Sequence, residues 1–268
     1  MGILKLKPFY FEKIWGYEKW NLSTHKNGYS TVENTNNTLI NEIHRELPIL
    51  IKIINAEDTL SVQVHPDDKY ARKYENDNGK AECWYILEAK EDATLICGIE
   101  EGYDRESLNT LIENQQIEKC LKKISVQPGD MIYIPSGTIH AIQGGIKLVE
   151  IQQSSDITYR MYDWGRNREL HIKKSLDVID YNNKNKCGKI ENFSKLITPY
   201  FSVEKLNISG IYKDKVNSDF CTFTVTAGSG IIKYNDVEIN IKKEETVYIL
   251  KNTVYIIEGN LTLLKSYI

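Results

Sequence analysis

The chain has 268 residues, of which 41% are hydrophobic and 26% are charged, and its formal net charge is −3 at pH 7. This balance is typical of a globular protein and gives no electrostatic reason to expect a nucleic acid or a membrane surface as partner. No apolar run approaches the length of a membrane span.

The sequence is dominated by short apolar runs that are rich in Ile, Val and Tyr and are broken by Gly, Asn or Asp, a pattern typical of β-strands. In chain order the predicted strands include "ILIKIINA", "CWYILEA", "ATLICG", "DMIYIP", "IKLVEIQQ", "FTVTAGSG" and "TVYILK". We therefore expect a mainly β fold.

Three segments are predicted to be helical. The first, "PDDKYARKYEN", begins with Pro66 and two acidic residues, which suit a first helical turn. The second, "DRESLNTLIENQQIEKCLKKI" (104–124), repeats apolar residues with helical spacing and could form two short helices. The third is "RELHIKKSLDVID" (168–180).

A polar stretch, "YNNKNKCGKIENFSK" (181–195), is typical of a linker. It divides the chain into a domain over 1–180 and a smaller domain over 196–268. A weak internal similarity relates 127–145 to 242–260, with Tyr133-Ile134 falling on Tyr248-Ile249. Because His171 is the last histidine, a histidine-based site can form only in the first domain.

The stretch "LSVQVHPDD" places three polar side chains on one face of a strand, because alternate residues point the same way. These residues are Ser61, Gln63 and His65. Downstream, Glu82 follows "NGKA", and His140 follows a tight turn in "PGDMIYIPSGTIHAI". Imidazoles, one carboxylate and an amide oxygen suit a zinc site best, although iron, manganese, cobalt and nickel remain open.

The other three histidines, His25, His44 and His171, are interpreted as surface or core residues. The five cysteines are widely spaced and form no CxxC pair, and the N-terminus lacks the pattern of a signal peptide. We expect reduced thiols in a cytoplasmic protein. From the residues alone, the sequence predicts a β-barrel domain with a candidate His/His/Glu metal centre and no named reaction.

The order of these motifs resembles the cupin superfamily, in which an early His and Glu and a late His bind a metal inside a β-barrel. More narrowly, "FEKIWGYEKW", "LSVQVHPDD", "GKAECWYIL", "YIPSGTIHAI" and "SSDITYRMYDWGR" resemble the type I mannose-6-phosphate isomerases, specifically the short bacterial form. The resemblance implies two cupin (jelly-roll) units with a few short helices, the first catalytic and the second degenerate and without a metal site.

The resemblance also implies roles for particular residues. One Zn²⁺ per chain would be held by Gln63, His65, Glu82 and His140, with Gln63 the weakest ligand of the set. Arg160 matches the active-site arginine of the family. The remaining matches are two residues that could act as the base, Glu150 and Lys80, and three residues for substrate contacts, namely Ser61, Lys52 and Arg166.

The implied reaction is the reversible interconversion of mannose 6-phosphate and fructose 6-phosphate through a cis-enediol. A metal would stabilise the developing negative charge, a base would move the proton between C1 and C2, and arginines would bind the phosphate. The implied partner is a small sugar phosphate, and the chain would be a monomer or a homodimer. Two alternatives stay open: a non-catalytic sugar-phosphate-binding cupin, and another cupin metalloenzyme such as a cupin-type phosphoglucose isomerase or a dioxygenase.

Overall fold

Strands make up most of the secondary structure, as the short apolar runs predict. A computed structural model describes residues 2–35, 37–182 and 187–268. Within these ranges the strands are β1 (Ile3–Lys7), β2 (Phe9–Lys13), β3 (Gly16–Leu22), β4 (Thr24–His25), β5 (Gly28–Tyr29), β6 (Thr31–Val32), β7 (Ile49–Ala56), β8 (Val62–Val64), β9 (Glu82–Ala89), β10 (Thr94–Ile99), β11 (Leu121–Ser125), β12 (Met131–Ile134), β13 (His140–Ile142), β14 (Ile146–Gln153), β15 (Tyr159–Tyr162), β16 (Gly188–Ile190), β17 (Lys195–Ile197), β18 (Ser202–Lys215), β19 (Phe220–Tyr234), β20 (Val237–Lys242), β21 (Thr246–Leu250) and β22 (Val254–Tyr267).

The helices in the same ranges are short. They are α1 (Leu39–Ile43), α2 (Asp68–Tyr74), α3 (Arg105–Glu113) and α4 (Ile172–Val178). Asp67 caps α2, because its carboxylate accepts a hydrogen bond from the backbone N–H of Tyr70 at 2.8 Å. Asp104 caps α3 reciprocally with Ser107.

The chain divides into two compact units. The central unit comprises Phe11–Glu18 and Ile54–Glu191, and the terminal unit comprises Met1–Tyr10, Lys19–Ile53 and Asn192–Ile268. Each compact unit combines segments that are separated in the sequence. The domain boundaries predicted from the sequence (1–180, 181–195 and 196–268) stay a prediction.

The central unit contains a five-stranded sheet in the order β11-β10-β13-β8-β15 and, from a second sheet, the strands β16-β12-β9-β14. Apolar side chains from both sheets form a common buried cluster, with Leu95 and Ile142 from the first and Ile86 and Leu148 from the second. The opposite face of the five-stranded sheet packs against α3 and α4 in another buried cluster. Side chains that alternate along these strands therefore point either into the barrel or towards the helices.

The terminal unit contains an eight-stranded antiparallel sheet in which β17-β18-β22-β19-β21-β1-β6 are neighbours and β20 pairs with β19. Strand β1 lies beside β21, with Leu4 opposite Tyr248. The first strand of the chain is thus paired with a strand near its end.

Two predicted segments differ from the structure. The predicted helix over 104–124 ends with α3, because Gln115 adopts a left-handed conformation (φ 55°). A 3₁₀ turn (Ile117–Cys120) and strand β11 follow. The predicted linker contains β16, which pairs with β12, while its residues 183–186 lie outside the described residues.

The mainly β, cupin-like fold predicted from the sequence is confirmed. In the part of the chain that the structure describes, no helix has the length and apolar character needed to cross a membrane.

Candidate metal centre and active site

Three buried side chains in the central unit bring metal-ligating atoms together. His65, Glu82 and His140 each offer one such atom, and the three atoms lie within 4.8 Å of one another. His65 follows β8, Glu82 is the first residue of β9 and His140 is the first residue of β13. The triad therefore joins the two sheets at one end of the barrel.

Strand register explains why these residues meet. Gln63 lies opposite His140 on β13 and opposite Arg160 on β15. Residues opposite one another on antiparallel strands point to the same face. Gln63, His140 and Arg160 therefore form a row across three strands, and His65, two residues after Gln63, extends from the same face.

The histidine tautomers are set by backbone carbonyls. The Nδ1 atom of His65 lies 2.7 Å from the carbonyl oxygen of Ile157, and that of His140 lies 2.8 Å from the carbonyl oxygen of Thr138. Because a carbonyl only accepts, each Nδ1–H donates and each Nε2 presents a lone pair. Burial lowers the pKa of His140 to about 4, so this ring is neutral at physiological pH.

The residues fit a metal ion. The two Nε2 atoms are 3.2 Å apart, so the ring nitrogens converge on one point of a buried site, as the ligands of a single cation do. Glu82 adds oxygens 3.4 Å from Nε2 of His140 and 3.8 Å from Nε2 of His65. A tetrahedral site with bonds of about 2.0–2.1 Å separates its ligand atoms by roughly 3.3 Å, so this donor set has the spacing of a metal site.

Gln63 lies beside the triad with its amide nitrogen 3.3 Å from Nε2 of His140. A 180° rotation of the amide exchanges its nitrogen and oxygen, and only the oxygen can ligate a metal. The structure thus puts Gln63 next to the triad, and its role as a ligand stays a prediction.

A buried lysine and a second carboxylate lie next to the triad. The Nζ atom of Lys80 is 2.8 Å from Glu82 Oε2, 3.1 Å from His65 Nε2 and 3.9 Å from Glu150 Oε1. Lys80 is 4% exposed and Glu150 is 3% exposed. The ammonium group therefore lies between two buried carboxylates, which offset the cost of burying its charge.

Sequence reasoning missed the partner of Glu150. The indole Nε1–H of Trp84 donates to Glu150 Oε2 at 3.0 Å, because Trp84 and Glu150 lie opposite each other on β9 and β14. Trp84 is itself fully buried. Its indole orients one oxygen of Glu150, and Oε1 is the carboxylate oxygen on the side of Lys80.

Arg160 joins this region to Ser61. Its Nε lies 3.3 Å from the hydroxyl of Ser61, and its Nη1 donates to the carbonyl of Glu169 at 2.7 Å. Within the described residues no carboxylate lies at ion-pair distance from Arg160. Burial lowers the pKa of Arg160, and the charges of Arg168 and Arg166 lower it further. This guanidinium is suited to an anion that comes from outside the protein.

Arg166 and Arg168 share one buried carboxylate. Arg166 Nη2 donates to Asp163 Oδ1 at 2.9 Å and to the Thr59 carbonyl at 2.7 Å, while Arg168 Nε donates to Asp163 Oδ2 at 2.8 Å. Burial raises the pKa of Asp163, but Arg168 and Arg166 outweigh it and the pKa is lowered. Arg166 Nη1 also lies 3.5 Å from Oδ2 of the exposed Asp58, so Arg166 contacts two carboxylates.

Arg168 was not predicted. Left-handed conformations at Trp164 (φ 55°) and Gly165 (φ 80°) turn the chain back so that both arginines reach Asp163. The charge-rich stretch "DWGRNREL" was the only signal in the sequence, and it does not distinguish Arg168 from a surface residue.

Gln152 was also missed. It is fully buried and lies opposite Glu82, and its amide donates to the carbonyls of Gln153 at 2.7 Å and Ser155 at 2.6 Å. The segment that it holds leads to Ile157, whose carbonyl binds His65. Alternation along "EIQQ" from Glu150 would have put Gln152 on the inner face, although its hydrogen bonds could not be predicted.

Lys52 belongs to the terminal unit. It is buried on β7, and its Nζ lies 5.1 Å from the centroid of the Trp20 ring, a cation–π distance. The other predicted site residues are in the central unit, and the contact between Lys52 and a substrate stays a prediction.

The chain is similar to known proteins over most of its length. The family model described as "Phosphomannose isomerase type I, catalytic domain" matches residues 17–87. The mannose-6-phosphate isomerase ManA of Bacillus subtilis is 38% identical over 272 residues, which cover 85% of this chain and 86% of that protein. The mannose-6-phosphate isomerase of Streptococcus mutans is 37% identical over 279 residues, covering 93% of this chain and 88% of the relative.

Solved structures extend the likeness to the whole chain. The crystal structure of the mannose 6-phosphate isomerase from Bacillus subtilis superposes with a TM-score of 0.92 at 32% identity and full coverage of both chains. A putative mannosephosphate isomerase from Archaeoglobus fulgidus has a TM-score of 0.85 at 17% identity, covering 99% of this chain and 97% of the other, and shares the fold. The sequence-based resemblance is confirmed: the chain belongs to the type I mannose-6-phosphate isomerase family.

Proposed function

We propose that this enzyme reversibly converts D-mannose 6-phosphate to D-fructose 6-phosphate with one zinc ion per chain. The observation that carries the proposal is the row formed by Arg160, Gln63 and His140 across three neighbouring strands. This row puts Arg160 on the same face of the sheet as the buried triad of potential metal ligands. Among the described residues, no carboxylate lies at ion-pair distance from Arg160.

His65, Glu82 and His140 would hold the zinc ion, with the amide oxygen of Gln63 as an additional ligand. When bound, zinc supplies a Lewis acid that stabilises negative charge on the oxygens of the substrate. Zinc is preferred because two neutral imidazoles and a carboxylate are its common ligands. The tautomers of both rings, fixed by backbone carbonyls, keep Nε2 available without a change in protonation.

Glu150 is the residue that we assign as the base that moves the proton between C1 and C2. Its Oε2 is held by the Trp84 indole, which leaves Oε1 for proton transfer. Lys80 lies 2.8 Å from Glu82 Oε2, so it serves as a hydrogen-bond donor and a positive charge rather than as a base. A cis-enediol, in which one carboxylate serves both carbons, requires only this single base.

Arg160 and Arg166 are assigned to the phosphate and its neighbouring oxygens, with Ser61 and Lys52 as further substrate contacts. A guanidinium can donate two parallel hydrogen bonds to a phosphate. Ser61 is already within hydrogen-bond distance of Arg160, which supports a joint anion site. Binding the phosphate away from the reacting carbons would orient the sugar.

We further propose that the enzyme is cytoplasmic and acts as a monomer or a homodimer. The cysteines Cys83, Cys97, Cys120, Cys187 and Cys221 are free thiols, which suits a reducing compartment. Sedimentation of the purified protein would determine the oligomeric state.

The test is conversion of fructose 6-phosphate to mannose 6-phosphate by the purified protein, first treated with a chelator and then reloaded with zinc. We expect activity to disappear and return. Arg160→Ala should lose turnover while its zinc content is unchanged. Binding of sugar phosphate without turnover, at full zinc occupancy, would instead indicate a sensor. Consumption of oxygen with Fe(II) would indicate a dioxygenase.

A further inference from the structure

Two cysteine thiols meet at an edge of the barrel, apart from the triad. Cys97 lies on β10 and is buried, while Cys187 comes directly before β16 and is half-buried. The side chain of Cys187 packs against the buried cluster that contains Cys97, and each thiol has the largest influence on the pKa of the other. The sulfur of Cys187 lies over Gly98, 3.6 Å from the point where a Cβ atom of residue 98 would lie.

The pair bridges the two sheets of the central unit. Strand β10 belongs to the five-stranded sheet and β16 pairs with β12 in the other sheet. A bond between the sulfurs would therefore link the two sheets covalently. A disulfide requires a sulfur–sulfur distance of about 2.05 Å, which the two side chains would reach by rotation within the cluster that they share.

A cavity of about 670 Å³ gives access to both thiols. Cys97, Cys187 and Gly98 line it together with Lys122 and Thr138. This volume accommodates a small molecule. A reagent can therefore reach Cys187, the more exposed of the two.

The electrostatics favour Cys187 as the attacking thiol. The hydrogen bond from Cys97 lowers the pKa of Cys187 to about 7, despite burial, and the positive charge of Lys122 contributes. The same interaction, with burial, raises the pKa of Cys97. Of the two thiols, Cys187 is thus the one whose thiolate forms more readily.

We propose that Cys97 and Cys187 form a redox-sensitive dithiol that closes to a disulfide by exchange with a low-molecular-weight disulfide. The Cys187 thiolate attacks one sulfur of the small disulfide, whose S–S bond breaks and releases one thiolate that takes a proton from water. Cys97, losing its proton to solvent, then attacks the sulfur of Cys187 and releases the second small thiolate. The two cysteines lose two electrons, and the small disulfide gains them.

The test uses the full-length protein incubated with 2-hydroxyethyl disulfide, then quenched in acid and mapped as unreduced peptides. We expect the wild type to yield a peptide pair linked through residues 97 and 187. Cys97→Ser should stop at a mixed disulfide on Cys187, because no resolving thiol remains. Cys187→Ser should stay unmodified at Cys97, and Cys120→Ser, which removes a buried thiol outside the pair, should behave as wild type.

Alkylation provides a second measurement that needs no disulfide. With iodoacetamide at pH 7, Cys187 of the folded wild type should react at least roughly tenfold faster than Cys120 or Cys221. The proposal is overturned if Cys97 is modified in Cys187→Ser, if the wild type accumulates only mixed disulfides, or if Cys187 reacts no faster than the buried thiols.

Discussion

The Nε2 atoms of His65 and His140 face each other across 3.2 Å, and both rings are anchored through Nδ1 to backbone carbonyls. Neither ring can relieve this contact by exchanging its tautomer, because the carbonyl oxygens only accept hydrogen bonds. The fold therefore prepares the geometry of a cation site through its backbone, before any cation is bound.

Replacing one of these rings should abolish metal binding. We expect His140→Ala to lose stoichiometric zinc, since the variant keeps only one of the two imidazole ligands of the triad. Metal analysis after dialysis against dilute zinc measures the effect. His44→Asn is a matched control, because His44 is exposed and left-handed (φ 53°), a conformation that Asn tolerates. Full zinc content in His140→Ala would refute the assignment.

Glu150→Gln removes the negative charge of the side chain and keeps its shape. The amide oxygen can still accept from the Trp84 indole, so the fold and metal content should be unchanged, but the base is lost. We expect kcat to fall by roughly 10²–10⁴-fold. Steady-state kinetics with metal analysis measures both quantities, and Glu106→Gln on the exposed face of α3 serves as control. A kcat within a few-fold of wild type would exclude Glu150 as the base.

Arg160→Lys keeps the positive charge and removes the planar guanidinium group, which can donate two parallel hydrogen bonds. Loss of charge-assisted hydrogen bonds worth about 1.5–3 kcal/mol each should lower kcat/KM by at least about tenfold, and Arg160→Ala should lower it further. The measurement is kcat/KM with zinc content determined in parallel. Arg72→Ala, whose side chain on α2 is 69% exposed, should leave both values unchanged. Equal kcat/KM in wild type and Arg160→Ala would contradict a role in substrate binding.

Gln152→Leu tests whether the hydrogen bonds of Gln152 help to hold the backbone carbonyl that contacts His65. Loss of the two hydrogen bonds to the 153 and 155 carbonyls should loosen the segment that carries the Ile157 carbonyl, and we expect zinc affinity to fall by about 10–100-fold. Competition with a chromogenic chelator measures this affinity. Gln116→Leu, at an exposed position, is the control. An unchanged zinc affinity would show that His65 is held without Gln152.

Asp163→Asn should change the dependence of stability on pH. Because the pKa of Asp163 is lowered in the folded state, its contribution to stability is complete above the unfolded pKa of about 4 and is lost as the pH falls through the folded pKa. Breaking its pairs with Arg166 and Arg168 should cost about 3 kcal/mol at neutral pH. Urea unfolding at several pH values measures the free energy of unfolding of both proteins. The difference between wild type and Asp163→Asn should become smaller only below about pH 4. A difference that does not depend on pH would contradict the ionised pair.

The parts of the structure set by local patterns could be predicted. Strands β7 and β14 coincide with the apolar runs at 49–56 and 146–153, because burial on both faces leaves a continuous signal. Helix α1 was missed because five residues carry too little periodicity. Within the site, the residues that form the triad were recognisable by chemical type and motif. Trp84, Gln152 and Arg168 were not, since their contacts depend on cross-strand register or on the turn at 164–165.

Strand β8 is three residues long, and it lies between β13, which carries His140, and β15, which carries Arg160. Neighbouring strands lie about 4.8 Å apart, so the backbones of His140 and Arg160 are separated by roughly 10 Å of hydrogen-bonded sheet. A hexose 6-phosphate carries its reacting carbons at one end and its phosphate at the other. Under the proposed function, backbone hydrogen bonds of the sheet, rather than loops, would set the distance between the metal centre and the arginine that binds the phosphate. A one-residue shift in the register of β8 would displace Gln63 from both His140 and Arg160.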